Sequence, residues 1–171
     1  MTLITKSNAQ RYAFVLWDEI LEELRAQFPT VNSDKQHVDA AAMNFVRCPE
    51  RFDVVVGSNL FGDILSDLGG VISGGLALVP SANLNPERRF PSLFEPMHGS
   101  APDIAGRGIA NPVGAILSAA MMLEWLKLDV VGGVIRQAVE STLAKGLGTP
   151  DLGGRLSTCQ MTDEIINRIQ R

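Results

Sequence analysis

Apolar residues recur every three or four positions early in the chain, which predicts an amphipathic helix over residues 9–28. The apolar stripe of this helix consists of Phe14, Trp17, Leu21, Leu24 and Phe28. Pro29 is expected to end the helix because proline has no amide hydrogen to donate. Runs rich in β-branched residues predict strands over residues 2–5, 31–38 and 52–56, the last with three consecutive valines.

Further helices are predicted where capping residues precede apolar segments. Asp39 is expected to cap a helix over residues 40–46, and a turn at residues 57–59 precedes a helix over residues 60–72. Asn111, followed by Pro112, predicts the start of a helix that reaches about residue 126. The other predicted elements are a strand over 76–79, a loop over 81–91, an irregular region over 93–108, a helix over 133–145 and a short helix capped by Thr162. Alternating strands and helices indicate an α/β fold.

The composition is that of an ordinary globular protein, since 46% of the 171 residues are hydrophobic and 20% are charged. The net charge of −4 gives no reason to expect a nucleic acid or an acidic membrane as partner. No apolar run reaches the roughly 18–20 residues that a membrane helix needs. Cys48 and Cys159 lie far apart, which argues against a disulfide framework or a zinc cluster and suits a reducing cytoplasm.

Two acids, Asp63 and Asp67, lie four residues apart on one predicted helix. Their carboxylates therefore project from one face, about 5–6 Å apart at Cβ, where a hard cation such as Mg²⁺ or Mn²⁺ would remove their repulsion. The plainer interpretation is a solvated helix face that binds nothing. The apolar surroundings favour partial burial of both acids, and the helix begins just past a strand, where open α/β sheets place ligands. Asp39 also follows a strand-like run, but the pattern leaves open whether it reaches the same site.

The segment Asn59–Leu68, with the sequence NLFGDILSDL, resembles a signature of the β-decarboxylating dehydrogenases. That family includes isopropylmalate, isocitrate, tartrate and D-malate dehydrogenases, and the resemblance covers essentially the whole chain. It implies the C-terminal half of an isopropylmalate-dehydrogenase-like fold, in which helices flank a mixed sheet, and not a classical Rossmann fold. Residues 1–73 would then be part of the dimerisation and metal-binding domain, and residues 74–171 the C-terminal part of the nucleotide-binding domain.

The resemblance also implies roles for four residues of the first part. Asp63 and Asp67 would be metal ligands from one subunit. Asp39, in the segment His-Val-Asp-Ala, would ligate the metal of the partner subunit. Lys6, in Thr-Lys-Ser-Asn, matches the catalytic lysine of the family, which is also donated across the dimer. The expected assembly is a homodimer with shared active sites.

A second constellation lies in residues 94–106, where glycine and serine let a ligand approach the backbone closely. Taken alone, this run is an ordinary turn without a GxGxxG motif, and a lone histidine such as His98 is more often structural. The run nevertheless resembles the adenine-nucleotide loop of the family. The cofactor contacts that this resemblance implies are made by Glu95 on the nicotinamide side, His98, Gly99, Ser100, Ala101, Asp103 at the ribose and Asn111 at the adenine. A carboxylate at residue 103 would repel a 2′-phosphate, so NAD is expected rather than NADP.

The segment over residues 81–89 resembles the tartrate and D-malate branch more than the isopropylmalate branch, although it is also explained by a surface loop that touches no substrate. The implied activity is NAD-dependent and Mg²⁺- or Mn²⁺-dependent oxidative decarboxylation of a D-malate- or tartrate-like 2-hydroxy acid. An isopropylmalate dehydrogenase fragment is the alternative within the family.

The resemblance further implies that this chain is an incomplete enzyme. The tyrosine that acts as acid in the family, and the arginines that bind the substrate carboxylates, lie upstream of the position matched by Lys6. Tyr12, which is the only tyrosine, follows Lys6 and does not match. Two other interpretations therefore stay open: a non-catalytic remnant that keeps the dimer scaffold, and an unrelated α/β binding module.

Overall fold

A computed structural model describes residues 1–169 of the chain; the last two residues lie outside the described part. The chain divides into two compact units, Met1–Ser73 and Gly74–Arg171, each with a hydrophobic core of its own. Among the described residues, no helix is long and apolar enough to cross a membrane.

The first unit is a small parallel sheet covered by helices. Its elements are β1 (Thr2–Thr5), α1 (Arg11–Gln27), β2 (Asp34–His37), α2 (Val38–Arg47), a 3₁₀ turn (Pro49–Arg51), β3 (Val55–Val56) and α3 (Asn59–Ile72). The strand order is β2-β1-β3, so β1 is the central strand. β1 and β2 pair in parallel, so their carboxyl ends lie at the same edge of the sheet.

The core of the first unit forms around β1, all four residues of which are buried. Ile4 is fully buried against α1, α2 and α3, and the rings of Phe14 and Phe61 stack with their centroids 4.8 Å apart. Burial on both faces is typical of a central parallel strand. This packing holds the carboxyl end of β1, and the turn that follows it, in a defined position.

The second unit is mainly helical. Its elements are a 3₁₀ turn (Leu76–Leu78), β4 (Pro80–Asn83), β5 (Leu93–Pro96), α4 (Val113–Trp125), α5 (Asp129–Leu143), a second 3₁₀ turn (Pro150–Leu152) and α6 (Thr158–Ile169). β4 and β5 form an antiparallel hairpin. The buried core residues come from the three helices and are Val113, Ala138, Val139, Met161 and Ile165.

The prediction for residues 76–91 was wrong in its details. The predicted strand at 76–79 is largely the 3₁₀ turn, and β4 occupies part of the predicted loop. β5 likewise lies within the region predicted to be irregular. Both strands are short and obtain their backbone hydrogen bonds from each other, which a periodicity argument along the chain does not detect. Pro80 stands at the first position of its strand, where proline is tolerated.

Two predicted helix caps were also wrong. The N-cap of α2 is His37, without a side-chain hydrogen bond, and Asp39 lies inside the first turn. Thr162 lies within α6, where its hydroxyl donates to the carbonyl of Thr158. The sequence signal for the true start is Ser157-x-x-Gln160, since these two residues exchange side-chain-to-backbone hydrogen bonds as a capping box.

Some boundaries shifted without a change of element type. β3 covers only Val55–Val56 of the predicted strand over 52–56. α5 begins at Asp129, four residues before its predicted start. At α4, the N-cap is Pro112, one residue after the predicted cap Asn111, and the regular helix begins at Val113. The Asn111 side chain still accepts a hydrogen bond from the Val113 amide at 3.0 Å.

Candidate functional site

Lys6 lies in the turn directly after β1, at the carboxyl end of a central parallel strand. Its carbonyl oxygen accepts hydrogen bonds from the amides of Ala9 at 2.9 Å and Gln10 at 2.8 Å, which closes the turn before α1. Open α/β sheets place their ligands at this edge. The position of Lys6 is therefore suited to a functional side chain.

Asp39 reaches Lys6 because β2 pairs with β1 in a register that places His37 opposite Thr5. The Lys6 ammonium donates a hydrogen bond to the Asp39 carboxylate, forming an ion pair. This hydrogen bond is the main reason why the pKa of the Asp39 carboxyl is below its ordinary value. The Asp39 side chain is 63% exposed and that of Lys6 is 24% exposed, so the pair opens to solvent on the carboxylate side. The sequence predicted both residues but not their contact.

Asp63 and Asp67 lie one turn apart on α3, as predicted, and both are exposed. The expected partial burial was wrong. Phe61 and Leu65 form the buried face of α3, and a residue two positions away from each points to the opposite side of the helix. Within the described part of the chain, neither acid forms an ion pair. Two unpaired carboxylates at this spacing are chemically suited to a hard divalent cation.

The three candidate metal ligands do not meet within one copy of the chain. Among residues 1–169, no group of three or more acidic, histidine or cysteine side chains is close enough together to hold a metal ion. Asp39 is paired with Lys6, while Asp63 and Asp67 face solvent without a third ligand among the described residues. The donation of Asp39 to the site of a second copy stays a prediction.

The predicted nucleotide residues of the second unit lie on β5 and the exposed loop after it. Glu95, on β5, is exposed, as are Gly99, Ser100 and Ala101. His98 is half-buried, and its Nδ1 atom lies 3.0 Å from the Gly99 carbonyl oxygen. With the proton on Nδ1, this contact orients the ring and leaves Nε2 free to accept a hydrogen bond. Asp103 is exposed on the same loop.

Asn111 differs from the rest of this set because it is buried, at 6% exposure. Its amide nitrogen donates to a carboxylate oxygen of Asp151 at 3.0 Å, while its oxygen accepts from the amide of Val113. Asp151 in turn accepts from the hydroxyl of Thr149 at 2.6 Å. The second amide hydrogen of Asn111 has no acceptor among the described contacts, and the adenine contact stays a prediction. Sequence reasoning missed Asp151, for which the Thr-Pro-Asp turn at 149–151 was the available signal.

The connection between β4 and β5 is attached to α4 by Arg88. It contains most of the segment over residues 81–89 that resembles the tartrate and D-malate branch. The Arg88 guanidinium stacks 4.5 Å above the ring of Trp125 and donates to the Trp125 carbonyl at 2.5 Å. Arg88 adopts a positive φ of 55°. Its guanidinium is therefore held by Trp125, which gives Arg88 a structural role.

One further carboxylate near Lys6 was missed by the sequence argument. Asp18 follows Phe14 by four residues and precedes Leu21 by three, so it lies on the apolar face of α1. Its side chain is 15% exposed. An acid within an apolar stripe was the signal for a buried polar contact.

The fold and these residues can be compared with known proteins. The family model for isocitrate/isopropylmalate dehydrogenases matches residues 1–168. A probable tartrate dehydrogenase/decarboxylase of Bacillus subtilis (strain 168) is 45% identical over 171 residues, covering 100% of this chain and 48% of its own length. A D-malate dehydrogenase [decarboxylating] of Escherichia coli (strain K12) is 49% identical over 176 residues, covering 100% of this chain and 49% of its own length.

The solved structure of an isocitrate dehydrogenase from Methylococcus capsulatus superimposes with a TM-score of 0.94 and 42% identity. The match covers 99% of this chain and 50% of that protein. The predicted α/β fold is confirmed, and the chain spans about half the length of the relatives that it matches. An unrelated α/β binding module is excluded, because the chain belongs to the isocitrate/isopropylmalate dehydrogenase family.

Proposed function

We propose that this chain forms the C-terminal half of an NAD-dependent, Mg²⁺- or Mn²⁺-dependent enzyme that oxidatively decarboxylates a D-malate- or tartrate-like 2-hydroxy acid. The observation that carries the proposal is the Lys6–Asp39 ion pair at the carboxyl edge of the parallel sheet. It joins the candidate proton acceptor to a candidate metal ligand. The tartrate and D-malate relatives, at 45% and 49% identity, support this substrate class.

The residues have distinct chemical tasks in this proposal. Asp63 and Asp67 of one copy, with Asp39 of another, would hold the divalent cation, which polarises the substrate hydroxyl when it is bound. The neutral amine of Lys6, formed when its ammonium loses a proton, would accept the proton of that hydroxyl, and bound NAD would supply the hydride acceptor. The Lys6 side chain is mostly buried, which limits the positions that its amine can occupy.

The homodimer of this proposal is supported by an apolar surface on the two helices that carry the metal ligands. Large apolar side chains of α2 and α3 are 56–63% exposed: Met43, Val46, Leu60, Ile64 and Val71. Large exposed apolar side chains on two helices that contact each other favour an interaction surface. A second copy bound here would bring a second set of acids to the site that one copy leaves incomplete.

The nucleotide preference can be tested at Asp103, an exposed carboxylate on the loop after β5. We expect the chain to bind NAD about tenfold more tightly than NADP, a difference of about 1.4 kcal/mol, because the carboxylate repels the 2′-phosphate. Asp103→Asn should reduce this preference by weakening NADP rejection. Asp163→Asn removes the same charge from an exposed position of α6 and should leave the preference unchanged. Isothermal titration calorimetry with both nucleotides measures the ratio, and equal affinities in the unsubstituted chain would contradict the role of Asp103.

The catalytic proposal is tested by supplying the other half. Because the chain spans about half of its relatives, we expect no NADH formation from D-malate or tartrate by the chain alone with Mn²⁺ and NAD. Adding the separately produced N-terminal segment of the Bacillus relative should restore turnover. Isopropylmalate, assayed in parallel, tests the alternative substrate.

Two results would contradict the proposal. Turnover by the chain alone would show that no second half is needed and would exclude the non-catalytic remnant. A folded mixture that binds neither Mn²⁺ nor NAD would favour that remnant over an enzyme.

A further inference from the structure

We propose that Asp18 is a positioning residue for Lys6: its single carboxylate holds the turn that carries the lysine and the strand that delivers Asp39. The inference rests on the proposed function in one respect only, namely that the place of Lys6 matters for proton transfer. The contacts themselves are independent of that function.

The first contacts of Asp18 lie on either side of Lys6 in the chain. The hydroxyl of Thr5 donates to one carboxylate oxygen at 2.7 Å, and the hydroxyl of Ser7 donates to the other at 2.8 Å. Thr5 is the last residue of β1 and is 1% exposed. The two residues that flank Lys6 are therefore both tied to α1, and the backbone between them has little freedom to rotate.

The third contact reaches the neighbouring strand. The ammonium of Lys35, on β2, donates to the second carboxylate oxygen of Asp18 at 2.9 Å. Asp39 follows four residues later, at the start of α2. One carboxylate thus ties together the two segments whose side chains form the Lys6–Asp39 pair.

The environment of Asp18 makes these contacts mutually dependent. Burial on its own raises the pKa of the carboxyl, but hydrogen bonds from Thr5, Lys35 and Ser7 outweigh it and hold the pKa below its ordinary value. The group is therefore ionised at neutral pH and accepts from all three donors. Removing it would leave the fully buried Thr5 hydroxyl without its acceptor, which is costly in a site closed to water.

Asp18 has no described hydrogen bond to Lys6 itself. Its effect on the lysine is indirect, through the backbone on both sides and through β2. Without it, we expect the Lys6 ammonium to leave Asp39 more often and to be exposed to solvent for a larger fraction of time.

The test uses the 171-residue chain and its four lysines, Lys6, Lys35, Lys127 and Lys145. The chain is treated with a limiting amount of an acetylating N-hydroxysuccinimide ester at fixed pH, and mass spectrometry measures the rate at each lysine. In Asp18→Asn we expect Lys6 to react about fivefold faster, the change produced by one ordinary hydrogen bond. Lys35 should also react faster, while Lys127 and Lys145 of the second unit serve as internal references.

Matched variants separate positioning from stability. Asp34→Asn removes a carboxylate at the amino-terminal end of β2, where Asp34 pairs with Arg51 at 3.3 Å, and should leave the reaction rate of Lys6 unchanged. Asp39→Asn removes the carboxylate that pairs with Lys6, so its acetylation rate at Lys6 sets the upper limit of the increase expected in Asp18→Asn. Asp18→Glu, which keeps the charge, should recover part of the slow rate.

An unchanged Lys6 rate in folded Asp18→Asn, with a lowered denaturation midpoint, would overturn the proposal and leave Asp18 a purely stabilising role. If Asp18→Asn does not fold, the isosteric Thr5→Val removes one donor and is subject to the same two outcomes. The labelling needs no turnover. A failure of the proposed enzymatic function, seen in the assay with the supplied half, is thus distinguishable from a failure of this inference.

Discussion

Replacing Asp63 and Asp67 together by asparagine should abolish saturable Mn²⁺ binding by the folded chain. The two carboxylates lie one turn apart on an exposed helix face and form no ion pair among the described residues. Substitutions in the outer shell of a metal site already weaken binding by about 10- to 100-fold. Loss of two direct anionic ligands should therefore abolish the saturable heat of Mn²⁺ binding in a calorimetric titration.

Glu19 and Glu23 of α1 provide the matched control, because they are also exposed and four residues apart. The Glu19→Gln/Glu23→Gln variant loses the same charge at the same spacing but should bind Mn²⁺ like the unsubstituted chain. Equal loss of binding in both variants would show that Mn²⁺ responds only to the net charge. No binding in the unsubstituted folded chain would support the plainer interpretation of a solvated helix face.

Gly154→Ala should destabilise the second unit by about 3 kcal/mol, at the upper end of the effect of a single substitution. A Cβ at this position would lie 1.8 Å from the carbonyl oxygen of Gly148, so the backbone of the loop must move. Between these glycines lie Thr149, which is fully buried, and Asp151, which accepts a hydrogen bond from the Asn111 side chain. The substitution should therefore disturb the start of α4 as well as the loop.

Gly133→Ala is the control for this prediction. It lies on the exposed side of α5, where an added Cβ has nothing within 4 Å. We expect it to stabilise the chain by about 0.5–1 kcal/mol because alanine is the better helix former. Urea denaturation of both variants measures the difference in the free energy of unfolding. Equal midpoints would mean that the backbone at Gly148 and Gly154 can move apart without loss of stability.

The elements best predicted from the sequence were long and strongly periodic. The stripe through Phe14 and Leu21 located α1, since a helix must bury one face. The β4–β5 hairpin was missed because its strands are stable only through each other. The start of α6 was misplaced at Thr162 because several residues there are chemically able to cap, and only contacts identify the one that does.

Local sequence patterns were sufficient for two conclusions: Asp63 and Asp67 share one helix face, and the chain belongs to its family. Both conclusions depend on residues close together in the chain. The contacts of the candidate site did not. Lys6 meets Asp39 across 33 positions, and Asn111 meets Asp151 across 40, through strand register and loop packing that no local period encodes. The exposure of the acids on α3 and the burial of Asp18 on α1 likewise depended on which helix faces the core covered, a choice made by packing of the whole unit.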